Sequence, residues 1–208
     1  MMVILSSNNE NKVLETKKLM KDEFDIDIVS LTDIDEHIDP DERYDNYGDN
    51  AVVKIDTLIH VSPAYSHHII IADDSGLEID ALKGFPGVKS NRFANEDHPE
   101  WGIKERIDYI LAKMSKVTHN NRRSAKYISK VAVYIPGNKI QIFTGTLDGF
   151  IPKEPMNGGT GFGYDPIMYL PEYNKSCDQL DWETKRIISH RGIALRKAGL
   201  YIKMKMEE

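Results

Sequence analysis

Two adjacent carboxylates, Asp73 and Asp74, close the apolar run Ile69–Ala72, and behind them come Ser75, Gly76 and a stretch punctuated by Gly84, Pro86 and Gly87. An apolar run that continuous reads as a strand buried on both faces, and in open α/β sheets ligands gather where such strands end. The two acids are thereby predicted at the mouth of a site. Uncompensated, they repel each other, so a divalent cation or a cationic partner is the expected remedy. Acids and glycine are also ordinary turn chemistry, and by themselves these residues read equally as a solvated Asp-Asp-Ser-Gly turn. Neighbours on a strand point to opposite faces, so only one of the two should enter a site unless the strand has already ended.

Other segments carry compatible chemistry. Ser7, Asn9 and Lys12 occupy a strand-to-helix turn, where a hydroxyl, a carboxamide, an ammonium and exposed amides suit phosphate oxygens. The same residues serve equally as a polar helix cap with a surface lysine. Lys54 lies five positions after Asp49 at the start of another helix, where both are expected to point into one crevice; an exposed helical lysine is the alternative. From Gly158 to Pro166, four glycines interleave with Phe162 and Tyr164, which leaves backbone free to approach a ligand and offers aromatic faces to a base. A glycine-rich turn with two core aromatics has the same composition. Lys185, Ser189, His190 and Arg191 surround the start of the last helix. Imidazole and guanidinium donors suit the oxo edge of a purine and the lysine suits a ring face or a phosphate, whereas the bland version is a Ser189 N-cap beside a solvated Arg191.

The elements that must position these groups follow from periodicity and punctuation. Met2–Ser6 reads as a buried strand with neither the basic lead-in nor the small-residue cleavage pattern of a signal peptide, and a helix is predicted from about Glu10 to about Met20. Ile26–Leu31 gives a second strand, and the acidic segment from Asp33 to Asn46 has no periodicity and is expected to be a mobile surface loop. Ala51, Ile55, Leu58 and Ile59 recur at helical spacing, with Asp49 placed to cap that helix and Pro63 to stop it. The strand ending in the two acids comes next. An apolar stripe from Ile103 to Met114 predicts a helix over about Pro99–Lys116, and two β-rich runs flanking Pro136, Gly137 and Asn138 predict a long antiparallel hairpin. A last helix begins near His190. Parallel units early and a hairpin later make the sheet mixed, in an α/β fold.

Composition sets the outer bounds. A chain of 208 residues fits one compact domain, with room for two lobes sharing a cleft. No stretch is apolar for long enough to span a bilayer, so a soluble protein without a membrane partner is expected. The single cysteine, Cys177, excludes an internal disulfide framework and makes a reducing cytoplasm the default setting. A net charge of −6 argues against a nucleic-acid partner, because phosphate backbones demand a basic face. A small anion is a different matter: a few lysines and amides can hold a triphosphate in an acidic protein, especially where a cation shares the load.

Taken together and in order, the segments resemble the inosine triphosphate pyrophosphatase family, enzymes that hydrolyse deaminated purine nucleoside triphosphates. S-N-N-E-N-K from Ser7 to Lys12 looks like the family's opening T-x-N-x-x-K, D-N-A-V-V-K from Asp49 to Lys54 like its E-N-A-x-x-K, and A-D-D-S-G-L-E-I-D-A-L-K-G-F-P-G from Ala72 to Gly87 like its central signature. G-F-G-Y-D-P and K-x-x-x-S-H-R complete the set, so the likeness covers nearly the whole chain. It implies an elongated mixed β-sheet flanked by helices, two lobes with a nucleotide cleft between them, and a homodimer. It also implies hydrolysis of ITP, dITP or XTP to the monophosphate and pyrophosphate, with Mg²⁺ as cofactor. Carried over residue by residue, Asp74 is the general base and a metal ligand, Asp49 is the second metal ligand, and Ser75 touches the substrate. Ser7, Asn8, Asn9, Glu10, Asn11, Lys12 and Lys54 hold the triphosphate, and Phe162, Gly163, Tyr164, Asp165, Lys185, His190 and Arg191 bind base and sugar. Two departures stand out: Asp49 replaces the usual glutamate, shortening the carboxylate by one methylene, and Ser7 replaces the usual threonine while keeping the hydroxyl. The Ser-His-Arg block disfavours a related enzyme for modified pyrimidines, and carboxylates at both Asp49 and Asp74 disfavour an inactive nucleotide-binding module.

Overall fold

The computed structural model describes residues 1–94, 97–159 and 161–208, so that Thr160 of the glycine-rich segment lies outside the described residues. The first strand, β1 (Val3–Leu5), pairs in parallel with β2 (Ile28–Ser30) on one side and with β3 (Ile69–Ile79) on the other. β4 (Ser124–Tyr134), β5 (Gln141–Phe150), β6 (Tyr169–Leu170) and β7 (Lys175–Ser176) extend a seven-stranded sheet in the order β2-β1-β3-β4-β5-β6-β7. The β5–β6 and β6–β7 pairs are antiparallel, so the sheet is mixed, as the element pattern predicts. The chain divides into two compact units, one of Met1–Asp74, Ser129–Gly145 and Ser189–Glu208, the other of Ser75–Ile128 and Thr146–Ile188.

In the first unit the alternation of β3 decides which helix each residue meets. Ile69 and Ile71 pack with Leu19, Met20 and Phe24 of α1 (Glu10–Phe24) and with Ala194, Leu195, Ala198 and Ile202 of α5 (His190–Met206). Ile70 and Ala72 pack on the opposite face with Ala51, Ile55 and Leu58 of α2 (Tyr47–Val61). Each isoleucine so buried contributes roughly 1.5–3 kcal/mol. A one-residue slip would send every side chain to the wrong face, so the apolar run also fixes where the acids after it must point.

Helix ends differ from the sequence expectation for local reasons. α1 runs four residues past Met20 because Phe24 belongs to the core, and it stops where Asp25 turns left-handed at φ 54°. α2 starts at Tyr47, not at Asp49: Asn46 is the N-cap, its side chain accepting from Asp49 N at 2.8 Å. The acidic segment is the surface loop expected, tied to the body at several points. Ile38 is buried, Ile38 O accepts from Asn8 Nδ2 at 2.6 Å, Asp33 accepts from Ser30 N at 2.7 Å, and Tyr65 OH donates to Glu36 at 2.9 Å.

In the second unit, Leu77, Ile79, Tyr127, Ile151, Ile167 and Met168 enclose a core with Ile107 and Ile110 of α3. That helix spans Ile103–Lys113, shorter than Pro99–Lys116, because the Glu105 carboxylate accepts from Gly102 N at 3.0 Å and so sets its start. A short helix, α4 (Trp182–Ile188), and the two-residue strands β6 and β7 have no counterpart in the sequence reading, since elements that brief carry no periodicity. No helix among the described residues is long and apolar enough to cross a membrane.

Candidate active site

The strand order reverses at β1, which has β2 to one side and β3 to the other, and the residues after β1 and along β3 therefore meet at a topological switch point. Continuing the β3 alternation, Asp73 shares the face of Ile69 and Ile71 and meets α1 and α5. Lys12 Nζ lies 3.0 Å and Arg191 Nε 3.3 Å from Asp73 Oδ2. Asp74 shares the face of Ile70 and Ala72 and meets α2: Asn50 Nδ2 donates to Asp74 Oδ2 at 3.2 Å and Lys54 Nζ stands 3.8 Å from Asp74 Oδ1. Lys54 Nζ also donates to the Asp73 carbonyl at 2.8 Å and pairs with Glu42 at 2.8 Å, while Ser6 Oγ donates to Lys54 O at 2.9 Å. Both acids are buried, at 3% and 5% exposure, so neither belongs to a solvated turn. Asp73 faces α1 and α5, Asp74 faces α2, and Lys54 reaches both residues.

The two neighbours are tuned apart. Burial pushes the Asp73 carboxyl up, but Lys12, Arg191 and Lys54 together outweigh it and hold the group well below the usual carboxylate range. Burial also pushes Asp74 up, and there Lys54 and Lys12 only partly offset it, so its carboxyl stays above the ordinary value. Burial lowers Lys12 despite Asp73, whereas at Lys54 it is outweighed by Asp74, Asp73 and Glu42, leaving that ammonium raised. One acid held ionised at neutral pH beside one held higher is the division expected between an electrostatic anchor and a proton acceptor.

The other predicted residues are distributed as follows. Asn9 caps α1 by accepting from Lys12 N at 3.1 Å, and Ser7 Oγ accepts from Asn9 N at 3.3 Å, while Glu10 and Asn11 are exposed in the first helical turn. Asp49 does not share a crevice with Lys54. Five positions on an α-helix separate side chains by about 140° around the axis, against about 40° for four, so Asn50 lies on the face of Lys54 and Asp49 turns away. Asp49 is exposed and accepts from Asn46 Nδ2 at 2.6 Å. Ser189 caps α5, its Oγ accepting from Gly192 N at 3.0 Å, and His190 opens that helix half-buried. Arg191, expected to face a base or solvent, is buried and bonded to Glu15 as well as to Asp73. Gly145 makes room for this turn: a Cβ there would overlap the His190 carbonyl and stand 2.7 Å from Ala194 N.

Within the second unit, Ser75 follows Asp74 along β3 and is half-buried. Asp165 gathers a separate cluster: it accepts from Lys185 Nζ at 2.7 Å, from Phe162 N at 3.0 Å and from Tyr127 OH at 3.2 Å. The Lys185 ammonium lies 5.2 Å from the centre of the half-buried Phe162 ring. Gly163 takes the left-handed conformation at φ 63°, which lets the chain turn between Phe162 and Tyr164. Tyr164 is a core side chain whose hydroxyl donates to Ser90 O at 2.5 Å, so of the two aromatics only Phe162 retains an accessible face.

The profile of the Ham1 family matches residues 3–200. The chain belongs to the Ham1 family. It is 38% identical over 200 residues to a dITP/XTP pyrophosphatase of Leuconostoc mesenteroides, covering 96% of this chain and 95% of that one. A dITP/XTP pyrophosphatase of Bacillus anthracis is 38% identical over 196 residues, covering 94% and 93%. Among solved structures, the Ham1 protein of Staphylococcus aureus superposes with a TM-score of 0.81 at 29% identity, covering 99% of this chain and 100% of that one. A Ham1 protein from Coxiella burnetii gives 0.82 at 31% identity, covering 98% and 100%.

Three residues of this Ham1 chain's cluster have no role predicted from sequence: Glu15, Glu42 and Asn50, the last lying inside D-N-A-V-V-K. Asn50 had a signal, since it stands four positions before Lys54 and so on its face. Glu15 and Glu42 had none, because their partners Arg191 and Lys54 are set by packing and not by spacing. With Lys12, Lys54 and Arg191 on one side and Glu15, Glu42, Asp73 and Asp74 on the other, the cluster carries one formal negative charge.

Proposed function

We propose that the protein is a nucleoside triphosphate pyrophosphatase that hydrolyses deaminated purine nucleotides, ITP, dITP and XTP, to the monophosphate and pyrophosphate. The observation that carries this is Asp74: a buried carboxylate held above its ordinary pKa, in reach of Lys54, directly beside an acid anchored by Lys12 and Arg191. The curated relatives named dITP/XTP pyrophosphatase supply the substrate class.

A triphosphate brings several negative charges to a cluster that is itself slightly negative, so an added cation is needed for it to bind. The residues fit Mg²⁺. Asp73 Oδ1 is buried without a hydrogen-bond partner, Asp74 is desolvated, and all the donors are oxygens. Among the described residues no group of three His, Cys, Asp or Glu is placed to hold a metal ion, so the ion would take one or two carboxylates and complete its shell with water and substrate phosphates. Asp74 would hold it, with Asp49 proposed as the second carboxylate ligand although its side chain is turned towards Asn46 here. When bound, the ion supplies charge neutralisation at the departing pyrophosphate.

The remaining chemistry belongs to the chain's own groups. Asp74 takes the proton of the water that attacks the α-phosphorus, and Lys12 and Lys54 exchange their carboxylate partners for phosphate oxygens. Ser7, Asn8, Asn9, Glu10 and Asn11 present the turn and first-turn amides of α1 to the same chain of phosphates. Arg191 keeps Asp73 in place. His190, Phe162, Gly163, Asp165 and Lys185 read the base and sugar, with Ser75 at the substrate and Tyr164 supporting from the core. Donors arranged for a 6-oxo group are left unpaired by the 6-amino group of adenine, which disfavours ATP. The protein is also taken to be a cytoplasmic homodimer, a point for light scattering.

The deciding experiment measures pyrophosphate release from ITP, dITP, XTP, GTP, ATP and a modified pyrimidine triphosphate, with and without Mg²⁺. Turnover of the deaminated purines that stops when Mg²⁺ is chelated is expected. Preference for the pyrimidine, or nucleotide binding without turnover, refutes the proposal.

A further inference from the structure

Asp178 stands just after β7, in the stretch leading towards Lys185, and no step of the chemistry above uses it. Its carboxylate is buried and turned onto the glycine-rich segment of the second unit: Oδ2 accepts from Gly158 N and from Gly159 N, the latter at 2.8 Å, and Oδ1 accepts from Gly161 N at 2.7 Å. Three glycine amides within four positions thus converge on one side chain. Burial pushes this carboxyl up, yet the three amides outweigh it and hold it below the ordinary range, so the acceptor is an anion at neutral pH.

The next amide in the chain belongs to the other acid: Phe162 N donates to Asp165, which also takes Lys185. Gly161 lies between the two carboxylates. A Cβ there would stand 2.6 Å from Asp165 Oδ2 and 2.7 Å from Asp178 Oδ1, so only glycine allows the backbone to touch both acids. Gly159 takes a left-handed φ of 79°, which turns consecutive amides towards Asp178. The consequence falls on Phe162, the first side chain beyond Gly161, whose ring lies beside the Lys185 ammonium. An aromatic face beside an ammonium is a platform for a purine ring.

We propose that Asp178 is a positioning residue for base recognition: by accepting from the amides of Gly158, Gly159 and Gly161 it fixes the backbone at those glycines and so presents Phe162 beside Lys185. This rests on the pyrophosphatase function proposed above. Asp178 acts on the base end of the substrate only, so its loss weakens binding without touching proton transfer at Asp74.

The test compares the parent with Asp178→Asn, Asp178→Ala and Gly161→Ala. Asparagine keeps one acceptor oxygen and sets an amino group against the remaining amides; alanine removes both oxygens; a methyl at Gly161 pushes the backbone away while leaving Asp178 intact. KM for ITP should rise roughly 10-fold in Asp178→Asn and further in Asp178→Ala, with kcat within about 3-fold of the parent and the ITP-to-ATP preference reduced. Gly161→Ala should show the same pattern, which keeps the test decisive if Asp178→Ala does not fold. An unchanged KM with a lowered melting temperature, or a fall in kcat alone, overturns the role by making Asp178 structural or catalytic. Hydrogen exchange at the three glycine amides, expected to be faster in Asp178→Asn, reads the positioning without turnover. A parent inactive on every triphosphate therefore refutes the pyrophosphatase function, and the exchange rates then decide the role of Asp178 separately.

Discussion

Replacing Lys54 with methionine keeps the buried stem and deletes one charge. Lys54 Nζ stands 3.8 Å from Asp74 Oδ1, and at an effective dielectric of about 20 that separation corresponds to about 4 kcal/mol, or about three pH units. Lys12 remains and water enters the space, so a displacement of about 1–3 pH units is expected. The sign follows from the surroundings. Burial already holds the Asp74 carboxyl above its usual range against Lys54 and Lys12, and Glu42 adds to the rise once its own partner is gone. Since Asp74 must be ionised to take a proton, the acid limb of kcat/KM moves to higher pH. Pyrophosphate release from ITP measured from about pH 4 to 9 at fixed Mg²⁺ reads that limb directly, whatever the accompanying loss of phosphate affinity. Lys54→Arg, which restores the charge, should bring the limb back towards the parent. A Lys54→Met limb that coincides with the parent's, or lies below it, refutes Asp74 as the base governed by Lys54.

Asp74→Asn should lower kcat by roughly 10²–10⁴-fold while ITP still binds by calorimetry; near-normal turnover removes Asp74 from the chemistry. Asp73 is ionised more readily in the folded protein than in the unfolded chain, so its contribution to stability is complete above a pH of about 4 and is lost as pH falls through its depressed folded value. The melting temperature should drop below that pH in the parent and less steeply in Asp73→Asn. Parallel acid profiles would contradict this. Gly145→Ala forces a methyl into the first turn of α5 and should cost about 1–3 kcal/mol or more, at about 2–4 °C of melting temperature per kcal/mol, so an unchanged melt would mean that turn is displaced at no cost.

Much of the fold is legible along the chain because its signals are local. The apolar run from Ile69 to Ala72 reads as a strand buried on both faces and is one. The stripe of Ala51, Ile55 and Leu58 reads as a helix and is one, as do the turn after β1 and the start of α5 at His190. Ends were less legible: Asn46, not Asp49, caps α2, since both are good caps and the choice depends on how Tyr47 packs. Short pieces such as β6, β7 and α4 were invisible because two to seven residues hold too little periodicity to read.

The sequence by itself determined which chemistry was available: two adjacent acids closing an apolar run, lysines on two helices, a glycine-rich segment with Phe162, and a net charge that argues against a nucleic-acid coat; the expected strand end at the acids is not one, since β3 continues to Ile79. Only the tertiary structure decided how those groups are shared. Adjacent carboxylates point to opposite faces of a strand, and the strand order placed α1 and α5 on one face and α2 on the other. Asp73 therefore became the anchor for Lys12 and for Arg191, 118 positions away, while Asp74 was left with Asn50 and Lys54 and a raised pKa. Pairing across such distances is governed by sheet order and burial, and no local spacing records either.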